Sequence, residues 1–309
     1  MHVVTGGLGF IGNELVRQLL AAGQNVAIID NRNRVAPDIE DISSVPVYEV
    51  DVTDRNNLLA AFEQLKPEAV YHLAAIHFIP ECNANPDRTL RVNVEGTQNV
   101  LDAATAAGVE HVLCASSGAV YADSPDPLGE DAPIGPVDIY GITKMFGETL
   151  CRRVASRDGV RVTACRFFNN IGPRETNPHI VPEIVSQLRQ DDTLQLGNIT
   201  TIRDYVTTSD TSEALMRLAE IPPDPYRVVN IATGQGASVQ DIIDLMAELL
   251  GRKIHVETDP ARFREADKQV QVADMAALRQ LLGWAPSTDL REAMVELLRY
   301  EHLNENRLG

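Results

Sequence analysis

A glycine-rich turn near the N-terminus constrains the fold of this chain more than any other feature of its sequence. Thr5-Gly6-Gly7-Leu8-Gly9-Phe10-Ile11-Gly12 follows a short apolar run, His2 to Val4, and precedes an amphipathic stretch. This order predicts a strand, a tight turn and a helix. Gly6, Gly9 and Gly12 lack the Cβ atoms that would keep backbone away from backbone or from a pyrophosphate. The helix beginning near Phe10 would direct its positive end at that pyrophosphate.

A carboxylate further along the chain supports the same interpretation. A second predicted strand, Val26 to Asp30, ends in an acid about 20 residues after the turn, where it can accept both hydroxyls of a ribose. Its charge would repel a ribose 2′-phosphate, so the sequence predicts NAD rather than NADP, although Arg32 would offset part of that repulsion. Alternatively, Asp30 is a simple turn residue. Asp51-Val52, after the third predicted strand, either contacts the adenine or caps the next helix.

Short apolar runs alternate with helical patterns over the first half of the chain, which is typical of a parallel sheet covered on both faces. The predicted strands are His2 to Val4, Val26 to Asp30, Val47 to Val50, Ala69 to His72, His111 to Ala115 and Val160 to Arg166. The predicted helices are Gly12 to Ala22, Asn56 to Leu65, Leu90 to Ala107 and Tyr140 to Ser156. Right-handed crossovers would wind these elements into an α/β fold with a doubly wound Rossmann sheet.

The pattern becomes irregular after Phe168, where prolines punctuate short helices and strands. We therefore expect an NAD-binding Rossmann domain over residues 1–168 and a smaller α/β substrate-binding lobe over residues 169–309. Some segments of the second lobe can return to the Rossmann sheet. Ligands of open α/β sheets bind beyond the carboxyl ends of the strands, so the second lobe would close over that edge.

The charge balance argues against several classes of partner. The 309-residue chain has 27 Lys and Arg against 44 Asp and Glu, a formal net charge of −17, which disfavours nucleic acid and anionic membranes. Its four cysteines are widely separated, which indicates reduced thiols in a cytoplasmic protein and no zinc site. With no secretory signal and no apolar run long enough to span a bilayer, we expect the chain to be complete from its first residue.

A phenol and an amine lie one helical turn apart in Tyr140-Gly141-Ile142-Thr143-Lys144. Oxidation of a carbinol needs a base near neutral pH, and Lys144 can lower the pKa of the Tyr140 phenol by proximity. By itself Tyr-x3-Lys is a common chance pattern. Ser116-Ser117 follows the fifth predicted strand, and although such a pair is also an ordinary turn signal, Ser117 can hydrogen-bond the reacting oxygen. Together, Ser117, Tyr140 and Lys144 are predicted to form one proton-transfer unit.

These motifs belong to an ordered series that covers nearly the whole chain. The further members are Asp51-Val52, His72-Leu73-Ala74-Ala75, Asn93-Val94-Glu95-Gly96-Thr97, Arg166-Phe167-Phe168-Asn169, Gly172-Pro173-Arg174, Arg203-Asp204-Tyr205-Val206 and Leu282-Gly283-Trp284. The series resembles the extended short-chain dehydrogenase/reductase family, specifically its nucleotide-sugar epimerase/dehydratase branch and the UDP-glucose 4-epimerase type within it.

The resemblance implies a set of site residues, with Ser117, Tyr140 and Lys144 as the catalytic group. The residues it assigns to NAD are Gly6, Gly9, Phe10, Ile11, Gly12, Asp30, Asn31, Asp51, Val52, Leu73, Ala74, Ala75, Asn93, Ser116, Tyr140, Lys144 and Phe167. Those it assigns to a nucleotide-sugar are His77, Ser117, Gly118, Asn169, His179, Arg203 and Arg264. The two arginines would compensate the diphosphate charge.

The reaction type depends on a departure from the family pattern. Ser117-Gly118-Ala119 stands where 4,6-dehydratases of this branch typically carry Thr-Asp-Glu, so the acid/base pair for dehydration is missing there. We therefore expect a 4-epimerase that oxidises a sugar hydroxyl to a ketone and returns the hydride, with a UDP-sugar as substrate. A dehydratase of a nucleotide-sugar or nucleoside, by 4,6- or 5,6-elimination, and a non-catalytic NAD-binding regulatory protein remain alternatives. His77, Cys82 and His179 are either further proton carriers or packing and binding residues.

The family also suggests a homodimer. Its members often pack the helix that carries Tyr-x3-Lys and the preceding long helix into a four-helix bundle. The apolar residues available for that purpose are Met145, Leu150 and Val154 on one helix and Val92, Val100 and Leu101 on the other. Alternatively, these residues cover the sheet.

Overall fold

The computed structural model describes residues 1–222, 224–263 and 268–303. Its strands are β1 (His2–Thr5), β2 (Val26–Asp30), β3 (Val47–Glu49), β4 (Ala69–His72), β5 (His111–Ser117), β6 (Arg161–Phe167), β7 (Asn169–Ile171), β8 (Thr193–Leu196), β9 (Ile202–Thr207), β10 (Tyr226–Ile231), β11 (Gly236–Ser238), β12 (His255–Thr258) and β13 (Val270–Gln271). Its α-helices are α1 (Phe10–Ala21), α2 (Arg55–Leu65), α3 (Ile79–Ala84), α4 (Pro86–Leu90), α5 (Gly96–Ala107), α6 (Ile139–Asp158), α7 (Ile180–Leu188), α8 (Thr208–Glu220), α9 (Val239–Leu250), α10 (Ala276–Leu282) and α11 (Leu290–Tyr300).

A sheet of seven strands forms the centre of the described chain, in the order β10-β6-β5-β4-β1-β2-β3. Every neighbouring pair in it is parallel. All six strands predicted from the sequence lie in this sheet, so the doubly wound Rossmann prediction is confirmed. The strand order reverses between β1 and β4, and this switch point opens a crevice beyond their carboxyl ends. β10 belongs to the same sheet although it lies far beyond Phe168 in sequence.

Local capping decides where the helices begin and end. The Asp138 side chain accepts a hydrogen bond from the Gly141 N–H and starts α6, which ends at Gly159 in a left-handed conformation, φ 74°. The single helix predicted from Leu90 to Ala107 is divided in the structure. A π-helical turn, Arg91–Glu95, joins α4 to α5.

Two apolar layers cover the two faces of the central sheet. α1 and α8 pack on one face, whereas α2, α5 and α6 pack on the other. Val100, Leu101 and Val154 are fully buried in the second layer, and Val92 and Leu150 pack against it. Met145 packs against the first layer. Val100, Leu101 and Val154 therefore cover the sheet and are not available to a dimer face, whereas a dimer contact through the partly exposed Val92, Leu150 and Met145 stays a prediction.

The second lobe is built around smaller sheets. β9 pairs with β7, β11 and β13, while β8 pairs with β12. A separate apolar cluster, to which α7, α9 and α11 contribute, packs beside these strands. Over the ranges that the structure describes, no helix is both long and apolar enough to cross a membrane.

The His72 side chain on β4 hydrogen-bonds β1 and α5 beneath the glycine turn. Its Nδ1 lies 2.8 Å from the Thr5 hydroxyl on β1, and its Nε2 lies 3.0 Å from the Thr97 hydroxyl on α5. Burial lowers the pKa of His72 to about 3, so the ring is neutral at physiological pH. A short motif residue thus connects β1, β4 and α5 just below the edge at which the crevice opens.

Candidate active site

A cavity of about 370 Å³ opens at the carboxyl ends of the central strands and extends beneath the second lobe. Many of the residues predicted for the site line this cavity. They are Gly6, Gly9, Phe10, Ile11, Gly12, Asp30, Asn31, Val52, Leu73, Ala74, Ala75, His77, Ser116, Ser117, Tyr140, Lys144, Phe167, Asn169, His179 and Arg203. The fold therefore brings the N-terminal motifs and the motifs of the second lobe to one place.

The glycine turn owes its shape to two close backbone contacts. Gly6 has φ +71°, and a Cβ there would lie 2.8 Å from the Ala74 nitrogen. A Cβ on Gly12 would lie 2.2 Å from the Gly6 carbonyl oxygen. Because L side chains fit neither position, glycine is required where the turn meets β4 and α1. α1 begins with no side-chain cap and no acid in its first turn, which leaves its N-terminus open to an anion.

The Asp30 carboxylate hydrogen-bonds the backbone of the glycine turn from the end of β2. Its Oδ2 accepts a hydrogen bond from the Leu8 N–H at 3.1 Å, and its Oδ1 accepts one from the Arg32 N–H at 2.7 Å. Burial raises the pKa of this carboxyl, while the two backbone hydrogen bonds act in the opposite direction. Asp30 therefore serves as a turn residue and also presents its carboxylate to the cavity.

Ser117, Tyr140 and Lys144 form a connected group at the ends of β5 and α6. Ser117 and Tyr140 both line the cavity, and the Ser117 Oγ accepts the Ala119 N–H at 3.1 Å. The Lys144 Nζ donates to the Ala115 carbonyl at 2.8 Å and lies 5.7 Å from the centroid of the Tyr140 ring. The amine is thus fixed beside the phenol by the backbone of β5.

The pKa of Tyr140 departs from the sequence-based expectation. Burial raises it, and only the hydrogen bond from Ser117 lowers it. Burial also lowers the pKa of Lys144, which is withdrawn from water. The expected lowering of the phenol pKa by Lys144 is therefore not found in the protein alone, because burial of the phenol raises its pKa.

Three predicted contact residues do not line the cavity. The Asp51 carboxylate accepts hydrogen bonds from Asn31 Nδ2 at 2.7 Å and from the Thr53 N–H at 2.8 Å, so it joins the segments that follow β2 and β3. The Asn93 amide accepts the Ile76 N–H and donates to the Ile76 carbonyl, both at 2.8 Å. Gly118 packs against Phe168 and Gln271. Arg264, assigned to the substrate, lies outside the described residues.

Asn93 nevertheless positions the site. Besides Ile76, its Nδ2 donates to the Thr143 hydroxyl at 3.0 Å, which ties the loop after β4 to α6 between Tyr140 and Lys144. Cys82 lies beside the same loop with its thiol fully buried, and burial raises its pKa to about 11. Cys82 therefore remains a protonated packing residue and lies outside the cavity lining.

A buried ion pair behind the cavity holds β5, β6 and α6 together. Arg166 Nε and Nη2 donate to the two oxygens of Glu148 at 2.7 and 2.8 Å. The Ser116 hydroxyl donates to the same carboxylate at 2.5 Å. The resemblance assigned Ser116 to the cofactor, but its hydroxyl hydrogen-bonds Glu148 and thereby positions α6. Glu148 lies one turn of α6 after Lys144, and this spacing could have indicated from the sequence that Glu148 points towards the site.

Other cavity residues were missed because their partners are remote in sequence. The Lys268 Nζ donates to the carbonyls of Ala119 and Tyr121 and so holds the segment that follows Ser117. Glu175 and Asn177 enter the cavity wall from the loop after β7. No spacing in the sequence connects these loop residues with His77, which lies beside them in the fold.

Comparison with known proteins decides the family. The model of the family described as GDP-mannose 4,6 dehydratase matches residues 3–297. The chain belongs to the GDP-mannose 4,6-dehydratase family. This membership confirms the resemblance to nucleotide-sugar epimerases and dehydratases.

Individual family members with different named activities are similar to this chain over nearly their whole lengths. GDP-6-deoxy-D-mannose reductase of Pseudomonas aeruginosa is 30% identical over 305 residues, which cover 96% of this chain and 95% of the relative. UDP-glucose 4-epimerase of Corynebacterium glutamicum is 31% identical over 316 residues, with coverage of 94% and 92%. Family membership alone therefore does not select one reaction.

Solved structures share the fold as well. MoeE5 in complex with UDP-glucuronic acid and NAD is 31% identical with a TM-score of 0.88, and the match covers 97% of this chain and 98% of that one. The UDP-glucose 4-epimerase of Thermus thermophilus in complex with NAD is 28% identical with a TM-score of 0.89, and coverage is 98% and 99%. Both lobes of this chain therefore have counterparts in these proteins.

Replacing Glu148 by Gln should lower the free energy of unfolding by about 3 kcal/mol, because the buried Arg166 guanidinium loses its counter-charge. Urea unfolding followed by circular dichroism measures this change. Glu213→Gln is the matched control, since Glu213 pairs with Arg217 at 2.6 Å with both side chains 43% exposed. That control should change the free energy by less than about 0.5 kcal/mol. Equal effects of the two substitutions would contradict the role assigned to Glu148.

Proposed function

We propose that this chain is a cytoplasmic NAD-dependent nucleotide-sugar 4-epimerase acting on a UDP-sugar. The observation that carries the proposal is that Ser117, Tyr140 and Lys144 line the same cavity as the glycine turn, with the Lys144 amine held 5.7 Å from the centroid of the Tyr140 ring. Such a unit moves one proton at one oxygen, which is what reversible oxidation of a hydroxyl requires. The UDP-glucose 4-epimerases among the relatives support the same reaction.

The residues of the turn fit a dinucleotide. The open N-terminus of α1 suits a pyrophosphate, and the Asp30 carboxylate at the end of β2 suits ribose hydroxyls and disfavours a 2′-phosphate. Residues 1–168 would hold this cofactor, and residues 169–309 would hold the nucleotide-sugar through Asn169 and Arg203. NAD, when bound, accepts a hydride from the sugar carbon and returns it to the opposite face.

The chain's own residues perform the proton transfer. The Tyr140 phenolate oxygen accepts the proton of the sugar hydroxyl, and the Ser117 hydroxyl donates to that oxygen and holds it in place. Burial raises the pKa of Tyr140, so the phenolate needs a nearby positive charge, which Lys144 supplies and to which a bound oxidised cofactor would add. Lys144 is positioned for this role by the Ala115 carbonyl.

The segment after β5 favours epimerisation over dehydration. Ser117-Gly118-Ala119 carries no carboxylic acid, and the space beside Gly118 is filled by Phe168 and Gln271. A 4,6-elimination needs an acid and a base at the neighbouring carbons, whereas 4-epimerisation needs only the single unit described above. Four free cysteines are consistent with a reducing cytoplasmic location.

Incubation of the purified protein with UDP-, GDP-, CDP- and dTDP-sugars in deuterated water tests the reaction. We expect a UDP-sugar to give its C4 epimer with unchanged mass and no deuterium at C4, because the hydride returns from the cofactor rather than from solvent. Nuclear magnetic resonance and mass spectrometry read this outcome. Loss of one water would establish a dehydratase, accumulation of NADH a dehydrogenase, and absence of turnover a binding protein.

Tyr140→Phe should lower kcat by about 10²- to 10⁴-fold, because it removes the hydroxyl that accepts the proton. Tyr48→Phe is the matched control, since Tyr48 lies on β3 outside the cavity lining and should keep full turnover. Circular dichroism establishes that both variants are folded. Unchanged turnover of Tyr140→Phe would eliminate the proposed mechanism.

We also propose that the chain forms a homodimer. Leu90 on α4 and Phe146 on α6 are 37% and 46% exposed, and these two helices contact each other. The pair offers an apolar surface that the sheet does not cover. Sedimentation at micromolar concentration should give twice the chain mass, and Phe146→Glu should shift the protein to a monomer. A monomeric wild-type protein would overturn this proposal.

A further inference from the structure

A second group of reactive side chains lies in the cavity wall, separate from Ser117, Tyr140 and Lys144. One nitrogen each from His77 and His179 and one carboxylate oxygen from Glu175 all lie within 4.8 Å of one another. His77 comes from the loop after β4, whereas Glu175 and His179 come from the loop between β7 and α7. Proton transfer by Tyr140 does not use any of these residues.

Aromatic packing fixes the two imidazoles. The rings of His77 and His179 stack with centroids 5.5 Å apart and an interplanar angle of 25°. The Phe78 ring meets His179 edge-on at 5.4 Å. Side chains held in this way lose less conformational freedom when they bind a shared ligand.

His77 has the hydrogen bonding that suits a metal ligand. Its ring hydrogen-bonds the Ala75 backbone, and its Nε2 lies 3.1 Å from the Asn177 Nδ2, which can only donate. Nε2 therefore carries a lone pair, which accepts the Asn177 N–H in the metal-free protein and would bind a metal only by replacing that hydrogen bond. A second ring nitrogen held by a backbone carbonyl is the usual support of a metal-bound histidine. Burial lowers the pKa of His77 to about 4, so the ring is neutral.

Glu175 is a buried carboxyl group without a direct counter-ion, and burial raises its pKa to about 7. Its Oε1 accepts the N–H groups of Thr176 and Asn177 at 2.8 and 3.0 Å. Over the described ranges, no Lys or Arg nitrogen lies within ion-pair distance of it, and Arg34 is engaged with Glu81 at 2.6 Å. A carboxylate withdrawn from water is stabilised when a cation or a metal pairs with it.

The Asn177 side chain is independent evidence for a bound ion or ligand beside the polar corner formed by His77, Glu175 and His179. Its side chain is 4% exposed and lines the cavity, yet its Oδ1 has no hydrogen-bond partner within the described part of the chain. Unpartnered buried carbonyl oxygens are uncommon in folded proteins and usually face a water, an ion or a ligand. This oxygen belongs to the same amide that contacts His77.

We propose that His77, Glu175 and His179 bind one divalent transition-metal ion of the Zn²⁺ or Co²⁺ class, with its open positions facing the cavity. Two imidazoles and one carboxylate select such ions over Mg²⁺ and Ca²⁺, which prefer oxygen ligands. Ligand atoms around tetrahedral zinc lie about 3.3 Å apart for metal–nitrogen bonds of about 2.0 Å, so the three ligand atoms, which lie within 4.8 Å of one another, need only a small inward shift on binding. The sequence-based expectation of no metal considered cysteines alone.

Such an ion would place positive charge in a cavity of a chain whose net charge is −17. Its open positions would accept oxygen donors, such as a sugar hydroxyl or a diphosphate oxygen. The metal site does not depend on the proposed epimerase activity, because binding of the ion is measured without substrate.

Titration of the full, tag-free and EDTA-treated chain with Co²⁺ tests the site. We expect one ion per chain with a visible ligand-field spectrum, displaced by Zn²⁺, and a Kd weakened at least about tenfold in His77→Gln and in His179→Gln. His255→Gln is the matched control, because His255 is an exposed histidine on β12 and its replacement should leave the Kd unchanged. Zn²⁺ should also raise the Tm of the wild type but not of Glu175→Gln.

Several results would overturn the proposal. They are the absence of saturable Co²⁺ binding, an unchanged Kd in both histidine variants, and an equal loss in His255→Gln. Because Glu175→Gln keeps the size of the side chain and its acceptor oxygen, it guards against loss of binding through misfolding. Its circular dichroism spectrum and its Tm in EDTA should match those of the wild type.

Discussion

The backbone contact between Gly12 and Gly6 is the constraint on which the rest of the site depends. A methyl group on Gly12 would lie 2.2 Å from the Gly6 carbonyl oxygen, so α1 can approach the end of β1 only without a side chain there. The same turn brings Gly6 against Ala74 at the end of β4. Because β1 and β4 flank the switch point of the sheet, this packing sets the floor of the cavity that every other functional residue enters.

Polar contacts behind the cavity fix the position of the Tyr140 phenol above this floor. Glu148 joins Arg166 on β6 to Ser116 on β5, and Asn93 joins the loop after β4 to Thr143 on α6. These bonds fix the helix that carries Tyr140 on two sides. In a low-dielectric interior such satisfied polar groups specify one arrangement, whereas a missing partner would leave a charge without compensation.

The polar corner formed by His77, Glu175 and His179 shows that segments without a shared sequence motif can contribute reactive side chains to one cavity. In the proposed reaction, Ser117 and Tyr140 account for proton transfer from the sugar hydroxyl during its oxidation. The corner instead offers two imidazole rings and a carboxyl group, which is a donor set for a cation. A metal there would add positive charge beside the substrate.

The sequence by itself determined the parallel sheet, the glycine turn, Asp30 and the Ser117, Tyr140 and Lys144 unit. These features depend on periodicity and on spacings within one strand–turn–helix segment, where local geometry dictates the outcome. Only the tertiary structure decided that Val100, Leu101 and Val154 cover the sheet, since a helical apolar face looks the same whether a sheet or a partner covers it. It also decided that Asp51 joins the segments after β2 and β3 and that His77 lies beside Glu175 and His179. Those contacts join segments far apart in the chain, and their distances are set by how the layers pack rather than by any spacing in the sequence.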